Sequence, residues 1–188
     1  MYLPELCQKV IAKFPDVIIP PVVDKTIRDP EAMVLVPAKN IVSVCRFLRE
    51  NEEMAFDLPI QMTAVDWIKD NIFELVYYLY SSKKKHAIVV RSRVDRATAS
   101  IESVTPIWAG MDWQEREVFD LMGITFTGHP NLKRIMMWDG FPGFPLRKDY
   151  VHVTDRYDSG LEVGTPGLDA KGVPLKALGA TGEAPSGH

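Results

Sequence analysis

The 188 residues carry a formal charge of −3, with 46% apolar and 25% charged side chains, the make-up of a globular chain long enough for one core and too short for a second catalytic domain. There is no general positive field to gather nucleic acid, and the one basic run, Lys83-Lys84-Lys85, stands between two strand-like segments, where a solvated turn explains it. Cys7 and Cys45 stand alone, with no CxxC or CxH spacing, so the chain offers no ligand set for an iron–sulfur cluster or a structural zinc.

The opening MYLPELCQKVIAKF lacks a basic n-region before a long apolar stretch, and no apolar run approaches the ~20 residues of a membrane span. A cytosolic placement is expected. Leu3, Leu6, Val10, Ile11 and Phe14 recur at helical spacing and Pro15 closes the pattern, which predicts a short amphipathic helix. VIIPPVV and AMVLVP are β-branched runs on either side of Arg28-Asp29-Pro30, candidates for paired strands. Over 38–52, Ile41, Val44, Cys45 and Leu48 fall at i, i+3, i+4 and i+7 and predict a second helix. Three strand candidates follow, PIQMTAVDW (59–67), FELVYYLYS (73–81) and HAIVVRS (86–92), the last two joined as a hairpin across the lysine turn. A helix returns at 112–122. The order predicts an α+β fold in two layers, a mixed β-sheet of about five strands with helices on one face.

From Asp158 to the end, thirty-one residues contain seven glycines, three prolines and no aromatic side chain. Alone, such a stretch buries too little apolar area to offset its ordering entropy. Leu161, Val163, Leu168, Val173, Leu175 and Leu178 are spread through it, so it reads either as an extended tail along a partner or as a frayed terminus. Three units are expected: an α+β domain over 1–122, an irregular interface segment over 123–157 and an extended Gly/Pro-rich tail over 158–188.

The helix DWQEREVFDLM places Met111, Val118 and Met122 on one line, flanked by Phe119 and Leu121, with Arg116, Glu117 and Asp120 opposite. Glu115 falls inside the apolar stripe, where an unpaired carboxylate is expensive. A capping box from Asp112 to Glu115 is one structural explanation, and Arg116 with Asp120 forms an ordinary i, i+4 pair. The functional reading rests on density. Between 112 and 150, Asp112, Glu115, Arg116, Glu117, Asp120, His129, Lys133, Arg134, Asp139, Arg147, Lys148 and Asp149 alternate with Trp113, Phe119, Phe126, Trp138, Phe141, Phe144 and Tyr150. Charges mixed with aromatics on Gly/Pro-fixed loops suit a protein interface. The catalytic alternative is a free-standing acid/base enzyme using His129 with Glu115 or Asp120, and no GxSxG, HExxH or phosphate-binding glycine loop accompanies it.

Residues 103–150, SVTPIWAGMDWQEREVFDLMGITFTGHPNLKRIMMWDGFPGFPLRKDY, resemble the signature region of the C-type or 30-kilodalton subunit family of the proton-pumping NADH:quinone oxidoreductase, respiratory complex I. The resemblance is carried by Glu115, Arg116, Glu117, Asp120, Leu121, Met122, His129, Lys133, Ile135 and Met136, and by the closing PLRKDY (145–150). Phe144 departs from it, standing where a polar or smaller aromatic residue is expected. The resemblance implies a non-catalytic scaffold of the peripheral arm, docked on the large (D-type) quinone-site subunit beside cluster-bearing neighbours and supporting electron transfer from NADH to quinone. It implies no cofactor in this chain, with flavin, iron–sulfur clusters and quinone held by partners. It also implies a peripheral position on the cytoplasmic face of the inner membrane, reached through the complex, with the tail wrapping the large subunit. The expected interface residues are Trp113, Glu115, Arg116, Glu117, Asp120, His129, Lys133, Arg134, Arg147, Lys148, Asp149 and Tyr150, with Trp113 and Phe119 anchoring the helix. The same subunit in a membrane-bound hydrogenase or another NDH-type complex is the alternative.

Overall fold

The computed structural model describes residues 3–19 and 32–151; the tail at 158–188 lies outside them. In chain order the elements are helix α1 (Leu3–Lys13), strand β1 (Ala32–Pro37), helix α2 (Ile41–Glu50), strands β2 (Leu58–Trp67), β3 (Ile72–Ser81), β4 (His86–Asp95) and β5 (Ser100–Glu102), helix α3 (Asp112–Met122) and strand β6 (Thr125–Thr127). Each helix and long strand expected from periodicity is present.

Four strands form a mixed sheet in the order β1-β4-β3-β2. The antiparallel β3–β4 hairpin turns through exposed Lys83, Lys84 and Lys85, with Lys85 at φ +56° closing the turn by an N–H···O bond to Ser81 of 2.9 Å. β1 lies parallel to β4 on one side and meets the described part of the VIIPPVV run on its other, residues 20–23 of that run lying outside the described residues. Among the described residues that run contributes one antiparallel bridge, Ile18 to Leu35. The remaining two strands, β5 and β6, make a separate parallel pair. Sequence did not announce them, because three-residue strands are too short to show alternation. β6 falls inside the segment read as irregular.

Alternation sorts the sheet into two faces. Val34, Val36, Phe73, Leu75, Tyr77, Leu79, Ile88 and Val90 share one buried cluster with Leu6 and Val10 of α1, Ile41, Val44, Cys45 and Leu48 of α2, and Val118, Leu121 and Met122 of α3. All three helices therefore cover the same face. Burying a side chain of this size is worth about 1.5–3 kcal/mol, so this single layer supplies the fold's main driving force.

Candidate docking site

Helix α3 and the loop after it are built around two enclosed carboxylates and two arginines. Asp120 is fully buried; its Oδ2 accepts the N–H groups of Ile135, Met136 and Met137 at 2.9, 2.7 and 2.9 Å, and its Oδ1 accepts Arg134 Nη1 at 3.2 Å. Burial works to raise this carboxyl, but the three backbone donors and Arg134 outweigh it and hold it below the usual aspartate range. Three successive N–H groups converging on one oxygen fix the 135–137 loop as a nest around a charge. Arg134 also donates to the Gly143 carbonyl at 3.2 Å and lies over the Phe141 and Phe144 rings.

Glu115 is the second enclosed carboxylate. Ser103 Oγ donates to its Oε2 at 2.6 Å and the Val104 N–H to its Oε1 at 2.8 Å. Burial pushes its pKa up to about 7, against these two bonds, and the Asp112 charge adds to the rise. The expected capping box does not form: α3 begins after Met111 with no side-chain cap. Glu115 reaches instead to the 103–105 turn, stapling the helix to the end of β5. Cys45 and Tyr77 share its surroundings; burial and then the Glu115 charge raise Cys45, and burial, then Cys45, then Glu115 raise Tyr77.

Gly123 ends α3 in the left-handed region at φ +72°, its N–H bonded to Phe119 O at 2.9 Å. A Cβ there would meet the Phe144 ring at 2.5 Å and Arg147 Nη2 at 2.7 Å. The departure at Phe144 thus fills a slot that only glycine leaves open. Arg147 donates to the carbonyls of Met122 and Gly123 at 2.7 and 3.4 Å, placing a cation at the negative end of the helix. Its guanidinium stands over Phe144 and Phe73.

The strap over 144–150 is fastened again at the end of β2. Arg96 Nε stands 2.9 Å from Asp66 Oδ1, and its Nη2 donates to Asp66 Oδ2 at 3.0 Å and to Asp149 Oδ1 at 2.7 Å. The Lys148 N–H adds a bond of 2.9 Å to Asp66. Through its bond to Arg96, Asp149 is held below the usual range. Asp66 and Arg96 were not singled out in the sequence. They lie 82 and 53 residues from the strap groups they hold, a separation no local pattern reveals.

Several expected pairs change partners. Arg116 faces Asp112 at 3.9 Å rather than Asp120, donates to Lys133 O at 3.2 Å and lies over the Trp113 ring. Asp120 belongs to the interior, not to the outer face of the helix, because the 132–137 loop covers that side. His129 lies beside Asp112, not Glu115 or Asp120: Nε2 is 3.3 Å from Asp112 O and 3.5 Å from its Oδ1, and Nδ1 accepts the Asn131 N–H at 3.0 Å. An accepting Nδ1 makes Nε2 the protonated nitrogen, so one ring nitrogen is spent on the 129–131 turn and the other on Asp112 at the start of α3. Trp113 does not anchor the helix within the chain, being 64% exposed, whereas Phe119 packs against the core. Tyr150 stacks on Phe141. Glu117 and the side chains of Lys133, Lys148 and Asp149 reach the surface.

Beside these surface charges stand four large apolar side chains: Trp113, Met136, Trp138 and Leu146 are each more than half exposed. Trp138 packs edge-on against Phe141, and Met136 stands in the loop bonded to Asp120. Large apolar side chains held outward on stapled elements are the kind of feature that marks a docking surface.

Fold and site together define a small α+β domain whose charged motif fastens a long surface strap. The chain belongs to the family described as "Respiratory-chain NADH dehydrogenase, 30 Kd subunit", which residues 34–156 match. It is 43% identical over 121 residues to the C-type subunit of the NADH-quinone oxidoreductase of Geotalea uraniireducens (strain Rf4), a match covering 64% of this chain and 73% of that one. Against the second C-type subunit of the Rhizobium meliloti (strain 1021) enzyme it is 43% identical over 116 residues, 61% of this chain and 63% of the relative. Among solved structures it is similar to a chain of the membrane-bound sulfane sulfur reductase, an archaeal respiratory membrane complex, with TM-score 0.63 and 29% identity over 82% of this chain and 94% of that one. The trypsin-resistant fragment of Nqo5 shares the fold, with TM-score 0.54 and 23% identity over 70% of this chain and all of the fragment.

Proposed function

We propose that this chain is a non-catalytic scaffold subunit of the peripheral arm of a proton-pumping NADH:quinone oxidoreductase. It docks on the large quinone-site subunit through the surface of Trp113, Met136, Trp138 and Leu146, and so supports electron transfer from NADH to quinone. The observation that carries this reading is the inward turn of the signature charges: Glu115, Asp120, Arg134 and Arg147 are all engaged within the chain. Their role is to shape a surface, not to act on a substrate. The engagement of both His129 ring nitrogens within the chain supports the same reading. Flavin, clusters and quinone belong to the partners, and the chain reaches the membrane through them; no helix among the described residues is long and apolar enough to cross one.

The likeness to a chain of the sulfane sulfur reductase complex favours one second reading, the equivalent subunit of a related respiratory membrane complex with another electron donor. Tagging the chain in its native cell and extracting membranes with mild detergent separates the two. Co-elution with cluster-bearing and membrane subunits, together with quinone reduction from NADH, is the expected result. The same assembly without NADH activity selects the second reading, and a lone monomer sinks both.

A further inference from the structure

Strand β2 opens on an irregularity. Its register against β3 shifts between Pro59 and Gln61, so Ile60 is the extra residue of a β-bulge, a device that re-aims a side chain at a sheet edge. Ile60 is 55% exposed and Leu58, just before it, 49%. β2 is the outer strand on its side of the sheet, and the turn and helix over 109–114 run beside it. The Met62 N–H donates to Gln114 Oε1, and a Cβ built on Gly110 would lie 4.0 Å from Pro59 Cγ. Ile60 therefore stands between two points at which β2 meets that turn. Trp113, 64% exposed, is three positions from Gly110 and so its neighbour across one helical turn.

The fold does not explain Gly110. Its φ lies outside the left-handed region, and among the described residues a Cβ there meets Pro59 Cγ alone, at an ordinary contact distance. A side chain would be accepted, yet the position holds the residue that loses most entropy on folding. Ala109 beside it is exposed as well. From Leu58 to Gln61 and from Pro106 to Met111 no residue is charged. The acids at the rims are turned to groups of this chain: Asp57 accepts the Ser82 N–H at 2.8 Å, and Asp112 Oδ1 stands 3.5 Å from His129 Nε2.

We infer that Leu58, Ile60, Gly110 and Trp113 form a docking surface for an uncharged, apolar segment of the large partner subunit, which packs down on the Gly110 backbone between Ile60 and Trp113. The inference rests on the docking role given to Trp113 above and extends it from α3 onto β2. Continuity names the partner: Trp113 belongs to both surfaces, so the subunit that covers one reaches the other. Charge names the class of contact. An anionic lipid surface calls for cations, whereas an aromatic and aliphatic strip without charge has the composition of an interface centre. Gly110 agrees, since a glycine that the fold does not require leaves the backbone open to close approach from outside.

The test is a diazirine-bearing amino acid at Ile60 of the full tagged chain, introduced in the native cell and activated in the detergent-extracted assembly. The same probe at Met136 runs in parallel, and adducts are mapped by mass spectrometry. Both probes are expected to label one subunit, the Ile60 adduct falling on a stretch without Asp, Glu, Lys or Arg. Gly110→Arg is expected to cut the Ile60 yield about tenfold, while thermal unfolding of the chain stays that of the parent because nothing obstructs a Cβ there. Ile60→Asp, read with the probe at Leu58, should give the same loss from a second exposed position. A Met136 adduct with none at Ile60, or with an Ile60 adduct to lipid, to a second copy or to a different subunit, overturns this inference and leaves the docking reading standing. So does an Ile60 yield indifferent to Gly110→Arg. An Ile60 adduct without one at Met136 overturns the shared partner, and no adduct from either probe sinks both readings.

Discussion

Glu115 and Asp120 sit five positions apart on one helix, both enclosed, and their titration pulls stability in opposite directions. Glu115 has a folded pKa of about 7 against an ordinary 4.5, so the unfolded chain ionises first as pH rises. Stability therefore falls between about pH 4.5 and 7, by about 3 kcal/mol at full ionisation. Glu115→Gln keeps both hydrogen-bonding partners without the charge; it should match the parent near pH 5 and exceed it above pH 7 in urea unfolding. Parallel curves for the two proteins would contradict the assignment. Asp120 is held below its ordinary value, so its contribution is present above that value and fades as pH drops below about 4. Asp120→Asn can keep its oxygen on the three backbone N–H groups but then turns its NH2 toward the Arg134 guanidinium, which loses its acceptor and countercharge. It should cost about 3 kcal/mol at pH 7, read as a lowered Tm with the α3 loop losing amide protection.

At the scale of elements, α3 works as a rivet whose two ends are fixed by different chemistry. Its N-terminal half is tied to β5 through Glu115 and Ser103, its C-terminus to the strap through Gly123, Phe144 and Arg147. Gly123→Ala introduces both a strained φ and a clash with the Phe144 ring. The expected loss is about 2–4 kcal/mol, and pairing it with Phe144→Ala should recover only the part due to that ring, since the contact with Arg147 Nη2 and the φ of +72° remain. Full recovery in the double variant would show that the backbone conformation carries no cost.

For the whole molecule, the separation of staples from surface makes a distinct prediction. Trp113→Ala and Trp138→Ala remove side chains that are 64% and 56% exposed, so each should change the stability of the isolated chain by little, within about ±0.5 kcal/mol. Co-elution of the large subunit with the tagged chain should nevertheless drop several-fold, because exposed aromatics are where binding energy concentrates. A pull-down unchanged by both substitutions would move the docking site elsewhere on the chain.

The sequence by itself determined the elements, since helical and strand periods over 3–14, 38–52, 59–67, 73–92 and 112–122 follow from which residues must face a core. It also placed Glu115 inside the apolar stripe of its helix and pointed to the family through 103–150. Only the tertiary structure decided the partners. Asp120 leaves the outer side of α3 because a loop some fifteen residues later wraps it, and His129 finds Asp112 because the 128–131 turn folds back on the start of the helix. Arg96 becomes the clasp of the strap through Asp66 and Asp149, groups far from it in the chain. Periodicity reports which side of one element is apolar; ion pairs across long separations depend on how elements pack, and no local pattern encodes that.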